Sequence, residues 1–168
     1  SARVEAKASL NTSEKMHLPH RIVDTLNLFG ATYYIVDPEL AIQEYLLPAK
    51  DICIKENYRE GLVESLTILS LAYLNKGDFQ KALGMGQKGL DLCNLPKSKR
   101  TPTILPNINK NQQGELRHKK ANILSNQGLI YRYLNRLDRA LKYHEQALSM
   151  RKELGLNTGI AESYGYLS

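Results

Sequence analysis

Internal repetition is the feature that most constrains the fold of this 168-residue chain. The segments G61-L-V-E-S-L and G159-I-A-E-S-Y lie 98 residues apart and share Gly, Glu and Ser at equivalent positions. Placing A121-N-I-L-S-N between them divides the interval into steps of 58 and 40 residues, and a further step of 40 upstream reaches Val23. A repeat length of this order is typical of proteins built from stacked supersecondary units.

Columns of similar residues recur at fixed offsets within each repeat. They comprise a large apolar column (Leu26, Leu66, Leu124 and Tyr164), a small column (Gly30, Ser70, Gly128 and Ser168), an aromatic column (Tyr33, Tyr73 and Tyr131), and downstream columns of Ile42, Ala82 and Ala140 and of Ala49, Gly89 and Ala147. Spacings of three, four and seven residues predict helices. Each repeat is therefore predicted to be a pair of helices, which must stack on its neighbours to bury its apolar face.

Polar residues mark the predicted turn between the two helices of each pair. The segments N75-K-G-D and N135-R-L-D supply Asp78 and Asp138, which we expect to cap the second helix. In the first repeat D37-P-E has the same role, with Pro38 at a helix start.

The repeats define the domain organisation. Complete repeats are predicted at about 21–60, 61–95 and 115–157, with partial repeats at 2–12 and 158–168. Residues 2–12 align with the second helix of an earlier repeat, although a short starting helix is an alternative. Because both ends cut through a repeat, we expect a fragment of a longer array. Residues 96–113 form a Pro- and Asn-rich insertion, predicted to be a loop.

The net charge of +6 is concentrated around this insertion. Residues 94–120 carry seven Lys or Arg and one acid, Glu115, whereas the rest of the chain is balanced. Such a cluster can meet phosphates, membranes or acidic proteins, but it can equally be a solvated loop. It has no interleaved aromatic residues that could stack on bases, so we do not expect a nucleic-acid partner.

No catalytic or metal-binding pattern is present in the sequence. The segment G84-M-G-Q-K-G matches a dinucleotide-binding pattern only formally, and its three glycines are predicted to allow close helix packing. Cys53 and Cys93 occupy equivalent repeat positions and are predicted to be small packing residues. The four histidines are scattered. We therefore expect a non-enzyme without cofactor, metal or membrane span, located in the cytoplasm.

The segments L66-x-x-L-S-x-x-Y…A82 and L124-x-x-Q-G-x-x-Y…A140 resemble the tetratricopeptide repeat signature. The resemblance implies an all-α fold, a right-handed solenoid of stacked antiparallel helix pairs with about three full repeats and partial repeats at both ends. The 40-residue step is similar to the longer repeats of kinesin light chain, of the adaptor with Leu-Gly-Asn motifs, and of bacterial regulatory and sensor proteins.

The same resemblance implies that the first helices line a concave groove for a partner segment. The groove residues expected from the alignment are Asn27, Leu28, Tyr34, Ile68, Leu71, Asn126, Leu129, Arg132 and Tyr133. The cations that clamp a C-terminal carboxylate in some relatives are absent from the equivalent columns here. Tyr131, two residues before Tyr133, is instead expected to stack between the helices of its pair.

The expected function is thus a protein-binding scaffold or sensor module. Its partner would be a protein or peptide with apolar anchors. The truncated repeat ends could also mediate assembly into an oligomer. The alternative is a regulatory region of a larger signalling protein, such as a kinase, a cyclase or a transcription factor, whose output domain lies outside this sequence.

Overall fold

The computed structural model describes residues 2–95 and 108–156, with side chains over 18–95 and 114–156. All regular secondary structure in these two ranges is helical, which confirms the predicted helical class. The elements are α1 (Ala2–Tyr33), α2 (Pro38–Leu40), a π-helical segment (Ala41–Leu46), α3 (Leu47–Lys55), α4 (Arg59–Asn75), α5 (Phe79–Asn94), α6 (Ile108–Tyr133) and α7 (Leu137–Glu153).

The helices form three pairs. The first pair is α1 with the continuous run of α2, the π-helical segment and α3. The second is α4 with α5, and the third is α6 with α7. Neighbouring pairs are joined because the first helix of one pair packs against both helices of the pair before it. Helix α4 packs against α1 and α3, and α6 packs against α4 and α5.

The π-helical segment coincides with a proline. Leu47 donates its backbone N–H to the carbonyl of Ile42, five residues earlier, and Pro48 follows. A proline inside an α-helix has no N–H to donate, and its ring clashes with the carbonyl four residues before it. The wider π turn accommodates Pro48 without ending the helix.

The turns repeat with the same period as the side-chain columns. One residue with positive φ follows each of four helices. These residues are Asn57 after α3, Gly77 after α4, Asn135 after α6 and Gly155 after α7. Their backbone hydrogen bonds share one pattern: after α4, Gly77 donates to the carbonyl of Leu74 and Asp78 to that of Tyr73, both at 2.9 Å. This is the Schellman motif, in which glycine or asparagine tolerates the left-handed conformation. Gly77 and Asn135 lie 58 residues apart, matching the step read from the sequence.

Two of the three predicted helix caps are confirmed. Asp37 accepts a hydrogen bond from the N–H of Leu40 at 3.0 Å, and Asp78 accepts one from Lys81 at 3.1 Å. The prediction for Asp138 was wrong: it lies inside the first turn of α7, where Arg136 is the capping position and its side chain makes no capping bond. In the 58-residue step Arg136 is equivalent to Asp78, and Asn135 is equivalent to Gly77.

Two predicted boundaries also differ from the structure. Residues 2–12 continue directly into α1 and are not a separate second helix. The 40-residue step aligns Asn57 with His17, where neither glycine nor asparagine is present to end the helix in a left-handed turn. Helix α6 begins at Ile108, so the last six residues of the predicted 96–113 loop are helical. The rest of that insertion and the partial repeat at 158–168 lie outside the described residues.

Small residues sit where helices approach most closely. A Cβ added to Gly30 would lie 2.6 Å from Cγ of the fully buried Leu46, and one on Gly89 would lie 2.9 Å from Cδ1 of Ile123. Gly86 is similarly covered by the side chain of Gln127. The prediction of close helix packing is therefore confirmed for Gly86 and Gly89. It was wrong for Gly84, where an added Cβ would have no atom within 4 Å.

A matched pair of alanine variants separates these two kinds of glycine. We expect Gly30→Ala to lower the free energy of unfolding by about 1–3 kcal/mol, since Leu46 has no room to retreat. Gly84→Ala should raise it by roughly 0.5–1 kcal/mol, because alanine costs less conformational entropy than glycine in a helix. Urea unfolding followed by circular dichroism measures both. Equal shifts in the two variants would contradict the observed contact between α1 and the π-helical segment.

The histidine of the third pair gives a pH-dependent prediction. His144 is 1% exposed, and an added Cβ on Gly128 would lie 2.7 Å from its Cε1. Burial lowers the pKa of His144, and the positive charges of Arg132 and Arg151 lower it further. The unfolded chain therefore takes up this proton at a higher pH than the folded chain does.

The free energy of unfolding should be constant with respect to His144 above about pH 7 and should fall as the pH drops below about 6.5. Urea titrations between pH 7.5 and 5.5 measure this slope. The His144→Gln variant should lose the contribution, whereas His118→Gln, at an exposed position of α6, should retain it. A slope that survives in His144→Gln would assign the effect to other groups.

Candidate functional site

A surface cavity of about 320 Å³ lies between the first helices α1, α4 and α6. We call it the acidic groove. Its lining residues are Asp24, Asn27, Leu28, Ala31, Tyr58, Glu60, Gly61, Glu64, Ile68, Glu115 and Lys119.

Helical spacing brings these residues to one surface. On α1 the groove positions are three or four residues apart, from Asp24 to Ala31, and on α4 Glu60, Glu64 and Ile68 are each four apart. Helix α6 contributes Glu115 and Lys119, again four apart. Residues at these spacings lie on one side of a helix. The groove is thus a product of three first helices placed side by side.

The floor of the groove is apolar. Leu28 is 67% exposed and stands beside the exposed Ala31, while Ile68 of α4 is only 5% exposed and lies beneath the surface. A large exposed leucine in a concavity is available to an apolar group of a partner.

One wall is fixed by a tyrosine. The hydroxyl of Tyr58 donates to Oδ1 of Asp24 at 3.1 Å, and the ring of His20 stacks on the Tyr58 ring with centroids 4.0 Å apart. Burial raises the pKa of Tyr58, and the neighbouring Asp24 carboxylate raises it further. The phenol therefore stays protonated and holds Asp24 at the edge of the groove.

Asn27 connects two helices at the base of the groove. It is 4% exposed, its Oδ1 accepts a hydrogen bond from Oγ of Ser65 at 2.8 Å, and its Nδ2 donates to the carbonyl of Gly61 at 3.3 Å. Thr67 and Ser125, its equivalents in the next two pairs, are buried as well. Asn27 therefore uses its amide to join α1 to α4 and presents little surface to a partner.

The structure brings three of the nine predicted groove residues into the acidic groove, namely Asn27, Leu28 and Ile68. The other six are distributed elsewhere: Tyr34, Leu71 and Leu129 are half-buried against the core, Asn126 is half-buried, and Arg132 and Tyr133 are exposed. Partner contact at any of the nine stays a prediction.

The two neighbouring tyrosines of α6 differ as expected. Tyr131 is half-buried and stacks on Tyr143 of α7, with ring centroids 5.4 Å apart. Tyr133 is exposed, and its ring lies 6.5 Å from that of Phe79, beside an open depression of about 600 Å³ at the α4–α5 turn. Tyr131 therefore belongs to the packing of its own pair, and Tyr133 lies on the surface between pairs.

Several groove residues were not predicted from the sequence, among them Tyr58, Glu60, Glu115 and Lys119. Glu60 precedes Glu64 by one helical turn, and this spacing could have revealed the pair. Glu115 and Lys119 were counted only as part of the charged region around the insertion. Both fall inside the predicted third repeat, but the alignment did not place them in a partner-facing column.

The described bases of that charged region point in different directions. Arg117 pairs with Glu153 of α7 at 2.6 Å, Lys119 pairs with Glu64 of α4, and Lys120 donates to Oδ1 of Asn94 at 2.8 Å. These three side chains join α6 to three different helices and do not form a shared basic surface.

Reactive groups are scarce in the described part of the chain. No cluster of metal-ligating side chains occurs there. Cys53 and Cys93 are free thiols, and burial raises the pKa of Cys53 to about 11 and also raises that of Cys93. Both therefore remain protonated and fit the predicted packing role. None of the described helices combines the length and hydropathy that crossing a membrane requires.

Comparison with known proteins supports the repeat. Residues 123–158 match the family model of the tetratricopeptide repeat, a stretch that covers most of the third helix pair. Neither the search of curated proteins nor the search of solved structures found a match. The tetratricopeptide repeat is generally a non-catalytic fold that mediates interactions between proteins.

The buried and half-buried asparagines provide a test of the site geometry. We expect Asn27→Ala to lower the free energy of unfolding by roughly 1–3 kcal/mol, because it removes two buried hydrogen bonds between α1 and α4. Asn126→Ala, on the more exposed column of α6, should change it by less than about 0.5 kcal/mol. Thermal and urea unfolding of both variants measure the difference. A neutral Asn27→Ala would mean that Asn27 is a surface residue after all.

Proposed function

We propose that this chain is a non-catalytic protein-binding scaffold or sensor module that holds a partner segment in the acidic groove. The observation that carries the proposal is the exposed Leu28, which forms an apolar floor with Ala31 and Ile68 in a cavity bounded by three first helices. A segment with an apolar anchor would bury Leu28 and Ala31. Concave, mostly apolar sites with a few polar groups at the rim are the usual form of binding sites.

The repeat arrangement is the second support. The family match covers most of the third helix pair, and the Schellman turns recur with the same period back to Asn57. We therefore extend the tetratricopeptide assignment to all three pairs, as a right-handed solenoid of the long-repeat type. In that arrangement the first helices share one face, and the acidic groove lies on it.

Peptide selection tests this function directly. A phage-displayed library of random peptides would be selected on the immobilised protein, and the enriched peptides would be synthesised with a fluorescent label. We expect Leu28→Ala to weaken their binding by about five- to thirty-fold in fluorescence anisotropy, as loss of an apolar anchor does.

The matched control is Ile54→Ala on α3, which removes a similarly exposed aliphatic side chain (58% against 67%) outside the groove. Binding should be unchanged in this variant. The proposal fails if no peptide is enriched, or if Leu28→Ala and Ile54→Ala bind equally well.

A further inference from the structure

We propose that the acidic groove selects partner segments in which a lysine or arginine lies next to the apolar anchor. The inference rests on the proposed function and names the chemistry of its partner. It depends on the charges around the groove, their hydrogen-bonding state and the apolar floor beneath them.

The sign of the charge is the first argument. Four carboxylates line the groove (Asp24, Glu60, Glu64 and Glu115), against a single ammonium, Lys119. The protein as a whole carries a net charge of +6, so the groove opposes the overall charge. A cavity lined by one sign of charge concentrates ligands of the opposite sign.

Nearby bases do not neutralise this surface. Arg59 precedes Glu60, but its guanidinium donates to the carbonyl oxygens of Leu92 and Leu95. Those contacts hold it against the end of α5. Arg117 and Lys120, on either side of Lys119, pair with α7 and α5. Lys119 is therefore the one described base that lines the groove.

Two of the carboxylates retain free hydrogen-bonding capacity. Asp24 accepts from Tyr58, and Glu64 pairs with Lys119. Glu60 and Glu115 make no hydrogen bond or ion pair with any other side chain in the ranges that the structure describes. These two acids can receive a cation from a partner without the loss of an existing contact.

The apolar floor suits the same residue types. Lysine and arginine have aliphatic stems that pack on apolar surface while the charged head stays near water or a carboxylate. In the groove a stem would lie on the apolar surface beside the anchor, with its head toward Glu60 or Glu115. An acidic segment would place like charges together, and a neutral one would leave the carboxylates without a counter-ion.

The test uses three synthetic peptide libraries of equal length, each with one fixed leucine and randomised small residues. The positions flanking the leucine are Lys or Arg in the first library, Gln in the second and Glu in the third. We expect the wild-type protein to bind the basic library at least about ten-fold more tightly than the acidic one in fluorescence anisotropy. Raising the salt concentration from 0.05 to 0.5 M should reduce this preference.

Charge-neutralising variants locate the preference. The double variant Glu60→Gln with Glu115→Gln leaves the Asp24 and Glu64 contacts intact and should weaken binding of the basic library by about five-fold. The control, Glu44→Gln with Glu145→Gln, makes the same charge change at exposed positions outside the groove and should bind as the wild type does.

Failure of this inference is distinguishable from failure of the proposed function. If peptides bind and depend on Leu28, but the three libraries bind equally or the acidic one binds best, the groove is used without selecting cations. If the two double variants weaken binding equally, the preference comes from overall charge. If Leu28→Ala has no effect on any library, the proposed function itself is wrong.

Discussion

Burial of the middle of helix α4 on all sides governs the rest of this structure. Helix α4 has six consecutive buried residues, from Ser65 to Ser70, which exceed one helical turn and so cover every direction around its axis. It contacts α1, α3, α5 and α6. Only a helix with neighbours on all sides can bury such a sequence, so the stacking of pairs on both sides of α4 is a requirement of the sequence itself.

The acidic groove follows from this arrangement. Because α1 and α6 both pack against α4, their exposed edges are held at a fixed separation on either side of it. The two acids of α4 that face this opening, Glu60 and Glu64, come just before its buried stretch. The same helix thus supplies the centre of the core and the middle of the candidate binding surface. A partner segment lying in the groove would touch three helices whose positions are already set by the core.

Sequence periodicity was sufficient for the helices and their pairing, because burial requires similar residues at the same positions in every pair. It was less reliable for turns. Aspartates at similar places suggested equivalent caps, yet the backbone depends on which residue adopts positive φ, and Asn135 replaces Gly77 there. The start of α6 was also missed, since nothing in the repeat columns extends into the insertion.

The candidate site was predicted in part. The repeat register and the resemblance to the tetratricopeptide repeat together placed Leu28 and Asn27 at the groove. The burial of Asn27 was not predicted, because its amide joins α1 to α4. Whether a polar residue is buried depends on which neighbour can satisfy it, and one sequence does not show that neighbour. Tyr58 and Lys119 depend on the same kind of information.

The side chains that pack at small residues differ between helix pairs, so each pair fits its own neighbours. By the 58-residue step, Gly86 of α5 and His144 of α7 are equivalent. At Gly86 the space is filled from the following pair by Gln127, whose Nε2 donates to the carbonyl of Leu83 at 3.0 Å. At the other position His144 fills the corresponding space from within its own pair, against Gly128. A helix pair that followed α7 could not place a glutamine as α6 places Gln127 on α5, because His144 already fills that space. The repeats are therefore similar in backbone but not interchangeable, and an array assembled by duplicating or permuting them would have to rematch its side chains at every junction.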